Sequence, residues 1–317
     1  MRGLIKPNVR PKINALSGAQ PYQGLGVAGD SGNDCSDAVF VTGRFRSGST
    51  LLWNIFRQLD TATAFYEPFN ERRWFDEGSR GDRVDNTHLG VSDYWREYNG
   101  LEKLAPLYDD DWTSRNLYMD SDFWAPRMQQ YIECLIRHAK GRALLQFNRI
   151  DFRLPWIRHH FPQCPILHIY RHPSDQWCST LKDIKRFPAD AGGFQEFRRF
   201  DGFYLMRWVK DLRFHFPFLS DEDNEHPYRC FYYLWKLSYL FGRQYAQHSI
   251  CFEQLIEKPQ AVLEPILNAL QFEVRDWSEI ESVIEKPNVG RWEQYESDAW
   301  FLRHESHCEN VLRDYFA

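Results

Sequence analysis

The stretch FVTGRFRSGSTLLWNIF, residues 40–56, constrains the fold more than any other part of this chain. An apolar run over residues 37–43 ends in glycine, and after Gly48 the apolar residues recur at helical spacing. That pattern predicts a strand, a tight loop and a helix in immediate succession. A glycine-rich turn between a strand and a helix start aims several backbone N–H groups, and the positive end of the helix dipole, at one point. The loop is nearly a nucleotide-binding P-loop: Gly43, four residues, Gly48, then Ser49 and Thr50. Ser49 stands where a P-loop lysine would grip terminal phosphates, and the basic residues come earlier, at Arg44 and Arg46. By itself the loop is compatible with an oxyanion site or with an ordinary strand–helix turn.

The remaining text alternates strand and helix signals. AFYEPF reads as a short strand ended by Pro68, and WAPRMQQYIECLIRHAKG as a helix closed by Gly141. RALLQF and CPILHIYRHP read as buried strands, the second with the continuous apolar face of a parallel sheet. LPWIRHHFP reads as a short helix, SDQWCSTLKDI as a helix capped by Ser174, and YRCFYYLWKLSYLFGRQYAQ as a long one. A strand, SICFE, and a helix, KPQAVLEPILNALQ, follow. The order predicts an α/β fold: a single P-loop-like domain over residues 37–317, with a central, mostly parallel sheet flanked by helices. Residues 1–36, rich in Gly, Pro and Asn, read as a flexible lead-in without the apolar core of a signal peptide. Residues 71–122 and 189–228 are irregular and aromatic, as expected of acceptor-site loops and a helical lid.

Composition narrows the function classes. A net charge of −5 supplies no overall basic field, so nucleic acid is not an expected partner and anion binding must be local. No apolar run approaches the roughly 20 residues of a membrane span, so no integral membrane segment is expected. Aromatic residues make up 16% of the chain, and most of that ring area is expected in the core. The seven cysteines are scattered without a CxxC pair, which points to reduced thiols in a cytoplasm rather than a disulfide framework or zinc site.

An NTPase would need the loop lysine and a strand-end carboxylate for Mg²⁺. Here FNR and YRH put Arg149 and Arg171 at strand ends, with Asp151 only a weak substitute for that carboxylate. Donor charge is met by arginine, and no metal is expected. In this the chain resembles the sulfotransferases that use 3′-phosphoadenosine 5′-phosphosulfate (PAPS), in the carbohydrate-type and bacterial form. RSGSTLL is similar to the family's 5′-phosphosulfate loop, and YRHPSDQWCS to its 3′-phosphate motif, with Arg171 and Ser179 eight positions apart. CFEQLIEKPQAVLEPILNALQF resembles the stretch after the last core strand. KPNVGRWEQY resembles the C-terminal Gly-x-Trp loop that covers the 3′-phosphate.

The resemblance implies a role for each matching residue. Arg46 contacts the bridging oxygen and departing phosphate, while Ser47, Gly48, Ser49 and Thr50 cradle the 5′-phosphate; Arg44, outside the matching motif, is a donor-binding candidate because its charge can fork onto phosphate or sulfate oxygens. Arg171 and Ser179 take the 3′-phosphate, with Gly290, Arg291 and Trp292 closing over it. Glu67 is the candidate base, the other reading being a carboxylate that orients Arg44 or another cation. Phenol-type relatives use a histidine, for which His88, His159 and His160 are the places to look. Arg149 is a further candidate for supporting the sulfate or substrate. Leu51 stands where those relatives carry an adenine-stacking tryptophan, and Trp53 comes two residues later. The expected activity is O-sulfation of a carbohydrate, glycolipid or secondary-metabolite hydroxyl, releasing adenosine 3′,5′-bisphosphate. An atypical P-loop kinase or NTPase and a non-catalytic nucleotide-binding scaffold are the alternatives.

Overall fold

The computed structural model describes residues 38–85, 88–190, 193–220, 224–284 and 290–317. The expected lead-in, Cys35 and part of the KPNVGRWEQY loop lie outside the described residues. In chain order the principal elements are β1 (Ala38–Thr42), α1 (Ser49–Arg57), β2 (Ala62–Tyr66), α2 (Pro126–His138), β3 (Arg142–Phe147), α3 (Leu154–His160) and β4 (Ile166–Tyr170). They continue with α4 (Pro173–Thr180), α5 (Leu205–Leu212), α6 (Pro227–Tyr245), β5 (His248–Cys251), α7 (Pro259–Ala269) and α8 (Asp298–Phe316). The five strands form one sheet in the order β2-β3-β1-β4-β5, and every pairing is parallel.

β1 is buried at all its positions, as a central parallel strand covered on both faces must be. In register, Phe40 lies beside Leu145 of β3 and Ile166 of β4. From β1 the chain winds to one side through β2 and β3, then crosses to the other for β4 and β5. The carboxyl end of β1 is therefore the topological switch point, where an open α/β sheet forms its ligand crevice. Residues 43–50, Glu67, Asn148–Arg149 and Arg171 all leave strand ends on that side. The described residues of 71–122 carry short helical turns, such as Arg96–Tyr98 and Asp110–Thr113, and the aromatic segment near 189–228 contains α5 and the short helix Phe194–Phe197.

Two helix ends differ from the sequence expectation. α2 stops at His138, with Ala139 as its cap, so Gly141 does not close it. Gly141 is instead a close-approach position, because a Cβ there would stand 2.2 Å from the Thr61 carbonyl oxygen. Ser174 lies inside α4 rather than capping it; His172 is the N-cap and Pro173 opens the helix. Proline's fixed φ and missing N–H suit the first helical position, which moves the start two residues earlier. Most of the aromatic area is core, with Trp53, Trp156, Trp177 and Trp208 fully buried. Among the described residues no cysteine forms a disulfide, and no helix is long and apolar enough to cross a membrane.

His168 in β4 shows how tightly the sheet is enclosed. Its ring stacks on Tyr170, and Nδ1 lies 3.2 Å from Ser249 Oγ. Burial, aided by Arg243, pushes its pKa down from 6.5 to about 3. An unfolded imidazole takes up its proton below pH 6.5 while the folded one refuses it until about pH 3, so acid favours the unfolded chain across that window. Stability should fall by roughly 1 kcal/mol per pH unit from this residue as pH drops from 7 to 5. His168→Asn should flatten the slope by that amount in urea unfolding followed between pH 7 and 5.

Candidate active site

The loop after β1 turns through two left-handed residues, Arg46 at φ 67° and Gly48 at φ 95°. Gly48 caps α1 without a side-chain hydrogen bond, and the first turn of α1 holds no acidic residue. The leading amides of α1 thus keep their donors for something outside the helix. Gly48 is required twice over, since a Cβ there would also stand 2.2 Å from the ring of Phe252.

The loop hydroxyls have separate tasks. Ser49 Oγ donates to Asn148 Oδ1 at 2.7 Å, and Thr50 Oγ1 lies 3.1 Å from the Tyr66 hydroxyl. Ser47 Oγ is buried without a partner. The two arginines diverge. Arg46 reaches across the crevice, where its Nε donates to Ser179 Oγ at 2.9 Å and its guanidinium lies 3.9 Å from Asp85. Arg44 turns the other way, onto the Trp208 ring at 4.3 Å and toward Asp151 at 3.7 Å. Burial outweighs attraction in that pair, lowering the Arg44 pKa and raising that of Asp151.

Arg171, at the end of β4, is 7% exposed and rests on the Phe252 ring at 4.9 Å. Its Nε is buried with no hydrogen-bond partner. Burial lowers its pKa; Asp175 and Glu253 oppose that shift, while Arg46 and Arg291 repel it further. Arg46 and Arg291 therefore both lie within electrostatic reach of Arg171, and Ser179 accepts from Arg46. Gly290 sits in a left-handed turn at φ 83° and donates to Asp175 of α4 at 3.1 Å. Trp292 stacks 6.3 Å from His172.

Glu67 follows β2 at φ 38° and is 5% exposed. It accepts from Asn148 Nδ2 at 2.5 Å, Asn70 Nδ2 at 2.7 Å and Arg149 at 2.7 Å. Arg149 donates its other arm to Glu71, which also accepts from the Tyr204 hydroxyl. Burial pulls the Arg149 pKa down, but Glu67 and Glu71 more than offset it and hold the guanidinium charged. A polar chain thus runs from the loop to the aromatic segment, Ser49–Asn148–Glu67–Arg149–Glu71–Tyr204. Asn148, Asn70, Asp175 and Phe252 were not singled out by the sequence. Only the strand-end position of Asn148 in FNRID marked it.

Of the histidines, His88 lies within electrostatic reach of Arg46, with Nδ1 2.5 Å from the Tyr94 hydroxyl; burial lowers its pKa to about 4. His159 and His160 sit on α3, the latter ring against Trp156. Trp53 is fully buried and donates to the Ala64 carbonyl at 2.7 Å, so it packs the core and is closed to a nucleotide base. Among the described residues no group of three or more His, Cys, Asp or Glu is arranged to hold a metal.

The sequence profile of the sulfotransferase family matches residues 38–276, well over half of the chain. The chain belongs to that family, and as an enzyme it is a sulfotransferase. No curated protein sequence matches it. Among solved structures, the sulfotransferase domain of the curacin biosynthetic pathway is 18% identical; the match covers 86% of this chain and 89% of that one, with a TM-score of 0.41. A sulfotransferase from Alicyclobacillus acidocaldarius is 14% identical, covering 88% and 94%, with a TM-score of 0.43. Sulfotransferase STF9 from Mycobacterium avium is 12% identical, covering 88% and 76%, with a TM-score of 0.46.

The double constraint on Gly48 is testable apart from any ligand. Gly48→Ala should destabilise the fold by roughly 1–3 kcal/mol through the left-handed backbone alone. Chemical denaturation would show this as a lower midpoint at unchanged slope.

Proposed function

We propose that this sulfotransferase takes its sulfuryl group from PAPS and passes it to a hydroxyl of a carbohydrate, glycolipid or secondary metabolite in the cytoplasm. The observation that carries the reading is Arg171, nine-tenths buried, with an unpartnered Nε and two further arginines pushing on it. A desolvated, self-repelling guanidinium is costly unless an anion completes the site. The α1 N-terminus offers a second place for an anion, and the Arg46–Ser179 bond joins the two. A donor with a 5′-phosphosulfate and a 3′-phosphate fits such a pair, and a singly anionic ligand would leave one half unused.

The donor supplies an activated sulfuryl group for in-line transfer. In this reading Ser47, Gly48, Ser49 and Thr50 hold the 5′-phosphate, largely by backbone amides since Ser49 Oγ is given to Asn148. Arg44 adds charge from beneath the loop, backed by Asp151. Arg46 stabilises the negative charge that gathers on the departing phosphate. Arg171 and Ser179 bind the 3′-phosphate, with Gly290, Arg291 and Trp292 beside them. The acceptor oxygen forms its bond to sulfur as the bond to the phosphate oxygen breaks. Glu67 takes the acceptor proton, oriented by Asn70, Asn148 and Arg149. Residues 71–122 and 189–228 form the acceptor side.

A second candidate for the base is His88, which lies within electrostatic reach of Arg46 although burial makes it a weaker proton acceptor.

Calorimetric titration with adenosine 3′,5′-bisphosphate, beside ATP with and without Mg²⁺, tests the donor. Metal-independent binding of the bisphosphate in preference to ATP is expected, and preference for Mg·ATP would overturn the reading. Arg46→Ala should lower kcat by roughly 100-fold or more. Glu67→Gln should lower it by about 100-fold or more at unchanged bisphosphate affinity; intact turnover in that variant moves the base to His88.

A further inference from the structure

The donor motifs leave Asp175 without a task, although it lies at their centre. It stands in the first turn of α4, four residues before Ser179, and is 4% exposed. Both carboxylate oxygens lie 3.1 Å from the backbone nitrogen of Gly290. Gly290, at φ 83°, presents its amide to the helix in a conformation that other residues resist. The same turn meets α4 and its flanks twice more. Arg291 donates to the Lys182 carbonyl at 3.4 Å, and the Trp292 ring stacks on His172.

Two ordinary explanations for this carboxylate are insufficient. A negative charge in a helix's first turn is favourable, yet its oxygens are directed at Gly290. Nor does it neutralise Arg171 directly: among the described residues no ion pair within 4 Å joins the two, and the Arg171 Nε stays unpartnered. The carboxylate still lies within electrostatic reach of Arg171. It therefore opposes any phosphate bound there, a cost that the contact with Gly290 must offset.

We propose that Asp175 is a positioning residue that fastens the turn at residues 290–292 to α4, so that Arg291 and the turn's backbone stand ready beside Arg171 and Ser179 for a nucleotide's 3′-phosphate. The inference rests on the donor reading above. It makes 3′-phosphate recognition depend on a hydrogen bond between two distant parts of the chain, not only on the arginines.

The test compares adenosine 3′,5′-bisphosphate with AMP, which lacks the 3′-phosphate, by calorimetry. Asp175→Ala should weaken the bisphosphate by roughly tenfold or more while changing AMP affinity little. Asp175→Asn should keep bisphosphate affinity close to that of the wild type, because its carbonyl oxygen can still accept the Gly290 N–H and its neutral side chain no longer repels phosphate. Wild-type bisphosphate affinity in Asp175→Ala, or an equal loss in both variants, overturns the proposal. Should Asp175→Ala fail to fold, amide hydrogen exchange at Gly290 in the nucleotide-free wild type decides. Slow exchange is expected, and exchange at the rate of an open chain overturns it. If the wild type binds no bisphosphate, the donor reading falls, while the exchange rate still reports whether Asp175 holds the turn.

Discussion

The placement of positive charge at the carboxyl end of the parallel sheet governs this structure. Arg171 leaves β4 into a site from which water is largely excluded, with Phe252 under its guanidinium and Arg46 and Arg291 repelling it. Burial of such a group is unfavourable by several kcal/mol when no anion meets it. Much of the surrounding architecture limits that cost. Glu253 and Asp175 raise the local negative potential, and Ser179 gives Arg46 a neutral acceptor. Phe252 serves two parts of the site at once. Its ring carries Arg171 and also lies against Gly48, so the shape of the loop and the seat of the strand-end arginine are fixed by one side chain.

On the other side of β1 the charges are balanced internally. Arg149 divides its guanidinium between Glu67 and Glu71, and stacks on Phe45 at 5.1 Å. In a low-dielectric setting a bidentate arrangement of this kind is stiff, and every member depends on the others for its partners. On the arginine-rich side the buried Arg171 meets no carboxylate within ion-pair distance among the described residues, whereas Arg149 is paired with Glu67 and Glu71. That asymmetry suits a reaction in which negative charge accumulates on the donor while a proton leaves the acceptor.

Much of this was legible in the residues. The run of apolar positions before Gly43 and the helical spacing after Gly48 announced β1, the loop and α1, because a buried parallel strand and an amphipathic helix leave different periodicities. The eight-residue separation of Arg171 and Ser179 likewise survives folding, since strand, proline-started helix and serine follow one another locally. Gly141 and Ser174 were misread because a glycine or serine near a helix end has several uses, and only neighbours distant in sequence distinguish them: the Thr61 carbonyl in one case, Pro173 at the helix start in the other. The partners of Glu67 were hidden for the same reason, as Asn148 and Arg149 come from another strand.

Sequence by itself determined the α/β alternation, the glycine-rich strand–helix loop and its arginines in the absence of a P-loop lysine, because these are local patterns of polarity, backbone freedom and charge. The tertiary structure alone decided that Arg46 points to Ser179 while Arg44, two residues away, points to Asp151. It also buried Trp53 in the core and set Asp175 against Gly290. Such choices depend on which strand ends the parallel register brings side by side, and on where burial makes an unpaired charge or amide costly. Neither quantity is a property of any short stretch of the chain.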